Sequence, residues 1–305
     1  MQKNKPNVLL VGSAKAGTTA LYSFLCEHTS IELPKRKEPK FLSYISGINN
    51  LKGPGDHRTI DRLIKKEADY RDLYSKDENI ISIDGSVDNL FYYEQVIPTI
   101  KELLGDVKIV ISLRDPVKRA FSAYSMQVRD QREDLPFLEA LEAEEVRIKE
   151  DYEFIWFYKA CGLYYKQVKA YLENFSNVHV VIIEDFKNDP KTIYDKVLDF
   201  LGLDKNYNID FNKTPNKTGV PRNKTLHKIL VLSDLKNKIS SFLPVSVRRV
   251  FREKVLKNVI GYDELKYDGQ GARELASFFE EDVKNLSDLL GRDLHTLWLK
   301  KYLSE

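Results

Sequence analysis

The sequence predicts an α/β fold, a parallel β-sheet flanked by helices with a helical C-terminal portion, and three observations predict it. Four short β-rich runs, Val8–Val11, Ile80–Ile83, Lys108–Leu113 and Val178–Ile183, lack polar alternation. That is the pattern of parallel strands buried on both faces. Helical patterns separate the runs, and such alternation implies crossovers that cover both sides of one sheet. The last third of the chain has no strand-like run and reads as helices. Ligands of such sheets bind beyond the carboxyl ends of the strands, so chemistry is expected just after Val11, Ile83, Leu113 and Ile183.

Each helix has its own signal. Thr19–His28 follows the first strand. Asn89–Leu104 carries Leu90, Tyr93, Ile97, Ile100 and Leu104 at helical spacing. Pro116–Arg129 opens on a proline suited to a first helical turn. Gly162–Asn174 leads into the fourth strand, and Thr192–Leu201 leaves it, stopped by Gly202. Beyond these, Leu226–Phe242, Val245–Asn258 and Ala272–Leu290 are helical, the last amphipathic through Leu275, Phe278, Phe279, Val283, Leu286 and Leu290. The expected organisation is one domain over 1–305: a core of about 6–204, a polar loop over 211–224, and C-terminal helices over 225–305.

Composition narrows the function. The 305 residues include 48 Lys+Arg against 46 Asp+Glu, and 42% are hydrophobic, an ordinary globular balance. Near-neutral charge argues against holding nucleic acid through bulk positive charge. Cys26 and Cys161 are too few for a disulfide framework or, by themselves, a four-ligand zinc site, and are expected as small core residues in a reducing compartment. The apolar run that stops at Gly12 is too short for a signal peptide core or a membrane span. With Met1 as the native start, the expected location is cytoplasmic. The charge is nevertheless segregated. Residues 35–40 carry four cations and one acid, 211–224 carry four cations and no acid, and Glu139–Glu153 holds seven acids.

The strongest motif is Val8-Leu9-Leu10-Val11-Gly12-Ser13-Ala14-Lys15-Ala16-Gly17-Thr18-Thr19. A strand feeds a small-residue loop that opens a helix. Backbone N–H groups and the positive helix end then converge on one point and suit a phosphate. This is P-loop-like, but the ordinary motif places lysine immediately before Ser/Thr, whereas here that slot is Thr18 and the lysine is Lys15. The alternative is a turn that merely packs a helix against the sheet, which gives a long cation at its centre no purpose. The third strand runs into Arg114-Asp115-Pro116, then a helix with Ser122 eight residues after Arg114. A guanidinium at the ligand edge suits bidentate phosphate contact, and Ser122 lies about two turns in, where its hydroxyl can face the same group. Pairing of Arg114 with a neighbouring acid is the competing explanation.

Both motifs resemble those of sulfotransferases that use 3′-phosphoadenosine 5′-phosphosulfate (PAPS), the first their 5′-phosphosulfate loop and the second their 3′-phosphate element. Lys35-Arg36-Lys37-Glu38-Pro39-Lys40-Phe41-Leu42 is similar to the Lys-Glu-Pro-His-Phe-Phe stretch of heparan sulfate and related carbohydrate sulfotransferases. There the Glu is the catalytic base, which Glu38 matches, while Lys40 replaces the usual His. A solvated basic loop is the plainer reading of that cluster alone. Cys161-Gly162-Leu163-Tyr164-Tyr165 and Ile182-Ile183-Glu184-Asp185-Phe186 resemble scaffold units of the family. Asn216-Lys217-Thr218-Gly219-Val220-Pro221-Arg222 resembles the loop that closes on the adenosine 3′,5′-bisphosphate half of the donor. After the second strand the segment reads Asp84-Gly85-Ser86-Val87-Asp88-Asn89, without the lysine many heparan-type enzymes carry.

The resemblance therefore implies a PAPS-dependent sulfotransferase that needs no metal and acts on a small-molecule or glycan acceptor. Glu38 and Lys15 would be catalytic. Lys15, Ala16, Gly17, Thr18, Thr19, Arg114, Ser122, Lys217, Thr218, Gly219 and Arg222 would hold the donor. Lys37, Lys40 and Asp84 are candidate acceptor contacts, Asp84 being equally suited to cap the next helix. Acceptor specificity is expected around Ile45–Tyr74 and Gln127–Phe157. Two rivals remain: a small-molecule kinase with Asp115 holding magnesium for ATP, and a non-catalytic nucleotide-binding scaffold.

Overall fold

A computed structural model describes residues 4–32, 34–77, 79–211, 220–221, 262–263 and 269–304. Five parallel strands form one sheet: β1 (Val8–Gly12), β2 (Ile31–Glu32), β3 (Ile81–Asp84), β4 (Lys108–Leu113) and β5 (Val178–Ile182), in the order β2-β3-β1-β4-β5. β1 lies between β3 and β4, pairing Val8 with Ile83 on one side and Leu10 with Val110 on the other. The loops that leave β1 and β4 therefore emerge side by side at the carboxyl edge. This is where a sheet of this kind offers a crevice.

Four strands match the sequence reading to within a residue or two. β2 escaped it, because two residues carry no periodic signal. Ile31 and Glu32 become a strand only by pairing with Ile81 and Ser82 at the sheet edge. The missing polar alternation has the expected cause. Leu9, Val11, Ile109, Ile111 and Leu113 face one core, while Val8, Leu10, Ile83 and Val110 face another, all almost fully buried.

The helices that fill those two cores are α1 (Thr18–Leu25), α2 (Tyr93–Leu103), α3 (Pro116–Arg129), α4 (Tyr164–Asn174), α5 (Pro190–Leu201) and α6 (Gly269–Leu290). α1 and α5 pack on the second face through Leu21, Phe24, Tyr194 and Leu198. α2, α3, α4 and α6 cover the first through Ile97, Ile100, Ala120, Val168, Tyr171, Leu275 and Phe279. Caps set their ends. The Asp115 carboxylate accepts from the Val117 and Lys118 amides at 2.9 and 3.1 Å, with Pro116 in the first turn of α3. Gly202 ends α5 at φ 79°, as the sequence indicated.

Two expectations change. The segment 89–104 is not one helix: a 3₁₀ turn over Val87–Asn89 precedes α2. The Leu90 amide donates to the Val11 carbonyl at 2.8 Å, tying the chain to β1 before the helix begins. Cys161 is buried as expected, but Cys26 is exposed beyond the end of α1, its thiol donating to the Tyr22 carbonyl at 3.1 Å. The helices expected over Leu226–Phe242 and Val245–Asn258 lie outside the described residues.

The C-terminal helices are fastened to the sheet edge. Asp282 of α6 accepts from the Tyr164 amide at 2.7 Å, capping α4. Trp298 is fully buried and donates through Nε1 to Glu184 at 3.1 Å, Arg292 pairs with Asp185, and Lys301 reaches Asp115 at 2.5 Å. Glu184 and Asp185 are thus structural ties.

Gly17, at φ 76°, precedes α1, and a Cβ there would stand 2.2 Å from Ile183 Cδ1. Both the backbone conformation and the contact demand glycine. Gly17→Ala is expected to cost about 1–3 kcal/mol of stability, read as a lower denaturant midpoint at unchanged slope.

Candidate active site

The loop between β1 and α1 is lashed to β4 by backbone and side chain together. The Ser13 amide donates to the Ser112 carbonyl at 2.6 Å, and the Ser112 hydroxyl donates to the Ala16 carbonyl at 2.6 Å. Arg114 Nη1 donates to the Lys15 carbonyl at 3.1 Å. Lys15 itself sits at φ 70°, a left-handed conformation that a lysine adopts only under constraint.

These residues form one end of a cleft of about 440 Å³. Lys15, Gly17, Thr18, Thr19, Arg114, Ser122 and Met126 line that end; Glu38, Lys40, Thr59, Arg132, Glu153, Phe154 and Ile155 line the remainder. The structure thus gathers the two phosphate-type motifs and Glu38 around one space. Ala16 is fully buried and does not line the cleft; its amide donates to the Ser13 carbonyl at 3.2 Å and its carbonyl accepts from Ser112.

Electrostatics differ between the two ends. Lys15 Nζ contacts Met126 Sδ at 3.5 Å, and among the described residues no carboxylate lies within ion-pair distance of it or of Arg114. Burial, reinforced by the neighbouring Arg129 charge, lowers the Lys15 pKa from the usual 10.5 to about 8. Arg114 Nε is buried without a hydrogen-bond partner. The pairing of Arg114 with a nearby acid, one explanation for its presence, is therefore not what the structure shows. Cations held partly desolvated and without a carboxylate form a site built for an anion.

The other end is paired. Lys40 Nζ binds Glu153 Oε1 at 2.9 Å, and Arg132 Nη1 lies 3.4 Å from Glu153 Oε2. Burial alone would lower the Lys40 pKa, but the Glu153, Asp88 and Glu38 carboxylates hold it above its usual value. Burial alone would likewise raise Glu153, which Lys40 and Arg132 hold below the ordinary range. Lys40 thus spends its charge on Glu153. Lys37 Nζ lies 3.4 Å from Glu38 Oε1 and 3.3 Å from the Thr19 hydroxyl, between the carboxylate and the phosphate-type loop.

Asp84 lies elsewhere. It is fully buried, accepting from the Tyr70 hydroxyl and the Ser86 amide, both at 2.8 Å, and does not line the cleft. Burial pushes its carboxyl up to about 6. Its bond to the Ser86 amide shapes the turn after β3, but neither the 3₁₀ turn over Val87–Asn89 nor α2 has a side-chain cap, so Asp84 is not the helix cap the sequence offered as an alternative. Lys217, Thr218, Gly219 and Arg222 lie outside the described residues. Thr59, Met126, Arg132 and Glu153 were not singled out from the sequence. Thr59, Arg132 and Glu153 do fall in the two segments expected to govern specificity, but no motif marks them.

Comparison with known proteins identifies the class. The sulfotransferase domain model matches residues 5–228, so the chain belongs to the sulfotransferase family. A solved sulfotransferase from Alicyclobacillus acidocaldarius is 31% identical and superposes with a TM-score of 0.75, over 96% of this chain and 98% of that one. The P-loop-like fold expected from the first motif is the fold of that relative. Among curated proteins, a mouse bifunctional heparan sulfate N-deacetylase/N-sulfotransferase 4 is 29% identical over 67% of this chain and 23% of its own length. A human heparan sulfate glucosamine 3-O-sulfotransferase 3B1 is 28% identical over 70% of this chain and 50% of its own. The chain thus spans 23% and 50% of the length of these two relatives. Among the described residues, no helix is long and apolar enough to cross a membrane.

The lowered Lys15 pKa makes a stability prediction. Because the folded value, about 8, lies below the unfolded 10.5, the unfolded chain binds more protons between them, and stability from this group rises with pH across that window. In Lys15→Met this rise should disappear from denaturant titrations run from pH 7.5 to 10, with no loss of stability at neutral pH.

Proposed function

We propose that the protein transfers a sulfuryl group from PAPS to a hydroxyl or amine of a carbohydrate-like acceptor. The observation that carries the reading is the meeting, in one cleft, of the Glu38 carboxylate with Lys15 and Arg114, neither of which has a carboxylate partner among the described residues. Family membership supports the donor, and the heparan sulfate relatives support a glycan acceptor.

The residues present fit a doubly phosphorylated donor. Lys15 offers an ammonium that has no carboxylate partner among the described residues, and the loop ending at Gly17 offers the opening amides of α1. Arg114 and Ser122 line the same end and would hold the 3′-phosphate. Lys217, Thr218, Gly219 and Arg222 would close over the bisphosphate. When bound, the donor supplies an activated sulfuryl group and a phosphate leaving group.

The chain's own residues then do three things. Glu38 Oε accepts the proton of the attacking hydroxyl or amine, with Lys37 beside it opposing carboxylate drift. Lys15, backed by the loop, opposes negative charge that accumulates on the transferring group and leaving phosphate. Arg114 and Ser122 fix the donor so that the acceptor meets it in reacting geometry. The kinase alternative loses its magnesium ligand, since Asp115 is fully buried and committed to the α3 cap, Lys301 and the Tyr302 hydroxyl.

Calorimetry tests the donor. Adenosine 3′,5′-bisphosphate should bind tightly with EDTA present, and its affinity should weaken as pH rises through about 8, where unliganded Lys15 loses its proton. Binding of ATP only with magnesium, and none of the bisphosphate, would sink the proposal. For the base, Glu38→Gln should lower turnover by about 10²–10⁴ with bisphosphate affinity unchanged; near-normal turnover at saturating acceptor would remove Glu38 from that role.

A further inference from the structure

The acceptor end of the cleft is a finished electrostatic structure, and it differs in kind from the donor end. Glu153 receives Lys40 at 2.9 Å, Arg132 at 3.4 Å and the Thr59 hydroxyl at 3.1 Å. Arg132 also pairs with Asp56 and donates through Nε to the Pro54 carbonyl at 2.7 Å. Asp56 is completed by the Glu153 amide at 2.7 Å, the Gly53 amide at 2.9 Å and Trp156 Nε1 at 3.2 Å. Two cations face two carboxylates, with side-chain exposures of 15% for Lys40, 12% for Arg132, 6% for Glu153 and 0% for Asp56. Val87, Phe154 and Ile155 supply the apolar remainder of this wall, and Lys40 lies over the Phe154 ring at 5.2 Å.

An anionic acceptor entering here would have to draw Lys40 or Arg132 away from carboxylates in a desolvated network, leaving those carboxylates unpaired. An uncharged sugar or polyol asks for no such change. Its hydroxyls can bond to the remaining lone pairs of the wall and its C–H faces can rest on Phe154 and Ile155. We propose that the Lys40–Glu153–Arg132–Asp56 wall is a specificity determinant that selects an uncharged polyhydroxyl acceptor and rejects sulfated or carboxylated ones. This rests on the sulfotransferase reading and narrows its acceptor class. It also separates this chain from relatives named for heparan sulfate, a polyanion.

The test uses the full chain with labelled PAPS and two acceptor pools of matched lengths. One pool holds uncharged chito-, cello- and malto-oligosaccharides and their alditols; the other holds uronate- and sulfate-bearing oligosaccharides. Label is expected in the uncharged pool by at least about tenfold, with an acceptor KM that changes little as salt is raised, because no charge attraction is screened. Glu153→Gln, which leaves the wall with a net positive charge, should move the ratio toward the anionic pool by about tenfold and introduce salt dependence. Bisphosphate calorimetry on the same variant confirms that it is folded, and the wild-type ratio decides the matter if it is not. Label mainly in the anionic pool, or in neither pool while the bisphosphate still binds, overturns the acceptor proposal and leaves the sulfotransferase reading in place. Absence of bisphosphate binding would overturn both.

Discussion

The site depends on the pairing of β1 with β4. Because these strands are neighbours, a loop from the first and an arginine from the second reach the same edge. The bonds from Ser112 and Arg114 to the carbonyls of Ala16 and Lys15 then fix the loop's shape. Those bonds turn loop carbonyls toward β4, which keeps acceptor groups away from an anion-binding cradle. Gly17 completes the constraint by letting α1 start against Ile183. Without this close approach, Lys15 would be a surface lysine with an ordinary pKa.

Stability and function pull against each other at the donor end. A partly buried ammonium with no carboxylate beside it among the described residues destabilises the unliganded fold, and a buried guanidinium nitrogen without a partner adds to the cost. At the acceptor end the opposite solution appears, with each ion matched and hydrogen-bonded. The two ends of one cleft thus compensate their charges in opposite ways.

The motifs were legible because each is local. A strand, a small-residue loop and a helix are contiguous at 8–25, and Asp115-Pro116 announces its own helix start. Scaffold ties such as Glu184 to Trp298 and Asp282 to the α4 amides are long-range and carry no local signature. The same is true of the acceptor wall: Lys40, Asp56, Arg132 and Glu153 are scattered over more than a hundred residues. Lys40 was visible as a cation beside Glu38, yet its charge is committed to a carboxylate no spacing rule could indicate.

The sequence by itself indicated four of the five strands, the helices between them and the strand–loop–helix that opens the chain, because periodicity and turn chemistry act over a few residues. Tertiary structure alone decided which charges are spent and which are free. Near-neutral composition could not reveal that, among the described residues, Lys15 and Arg114 have no carboxylate partner while Lys40 and Arg132 have one. Ion pairing depends on distances across the fold, and burial sets what an unmatched charge costs.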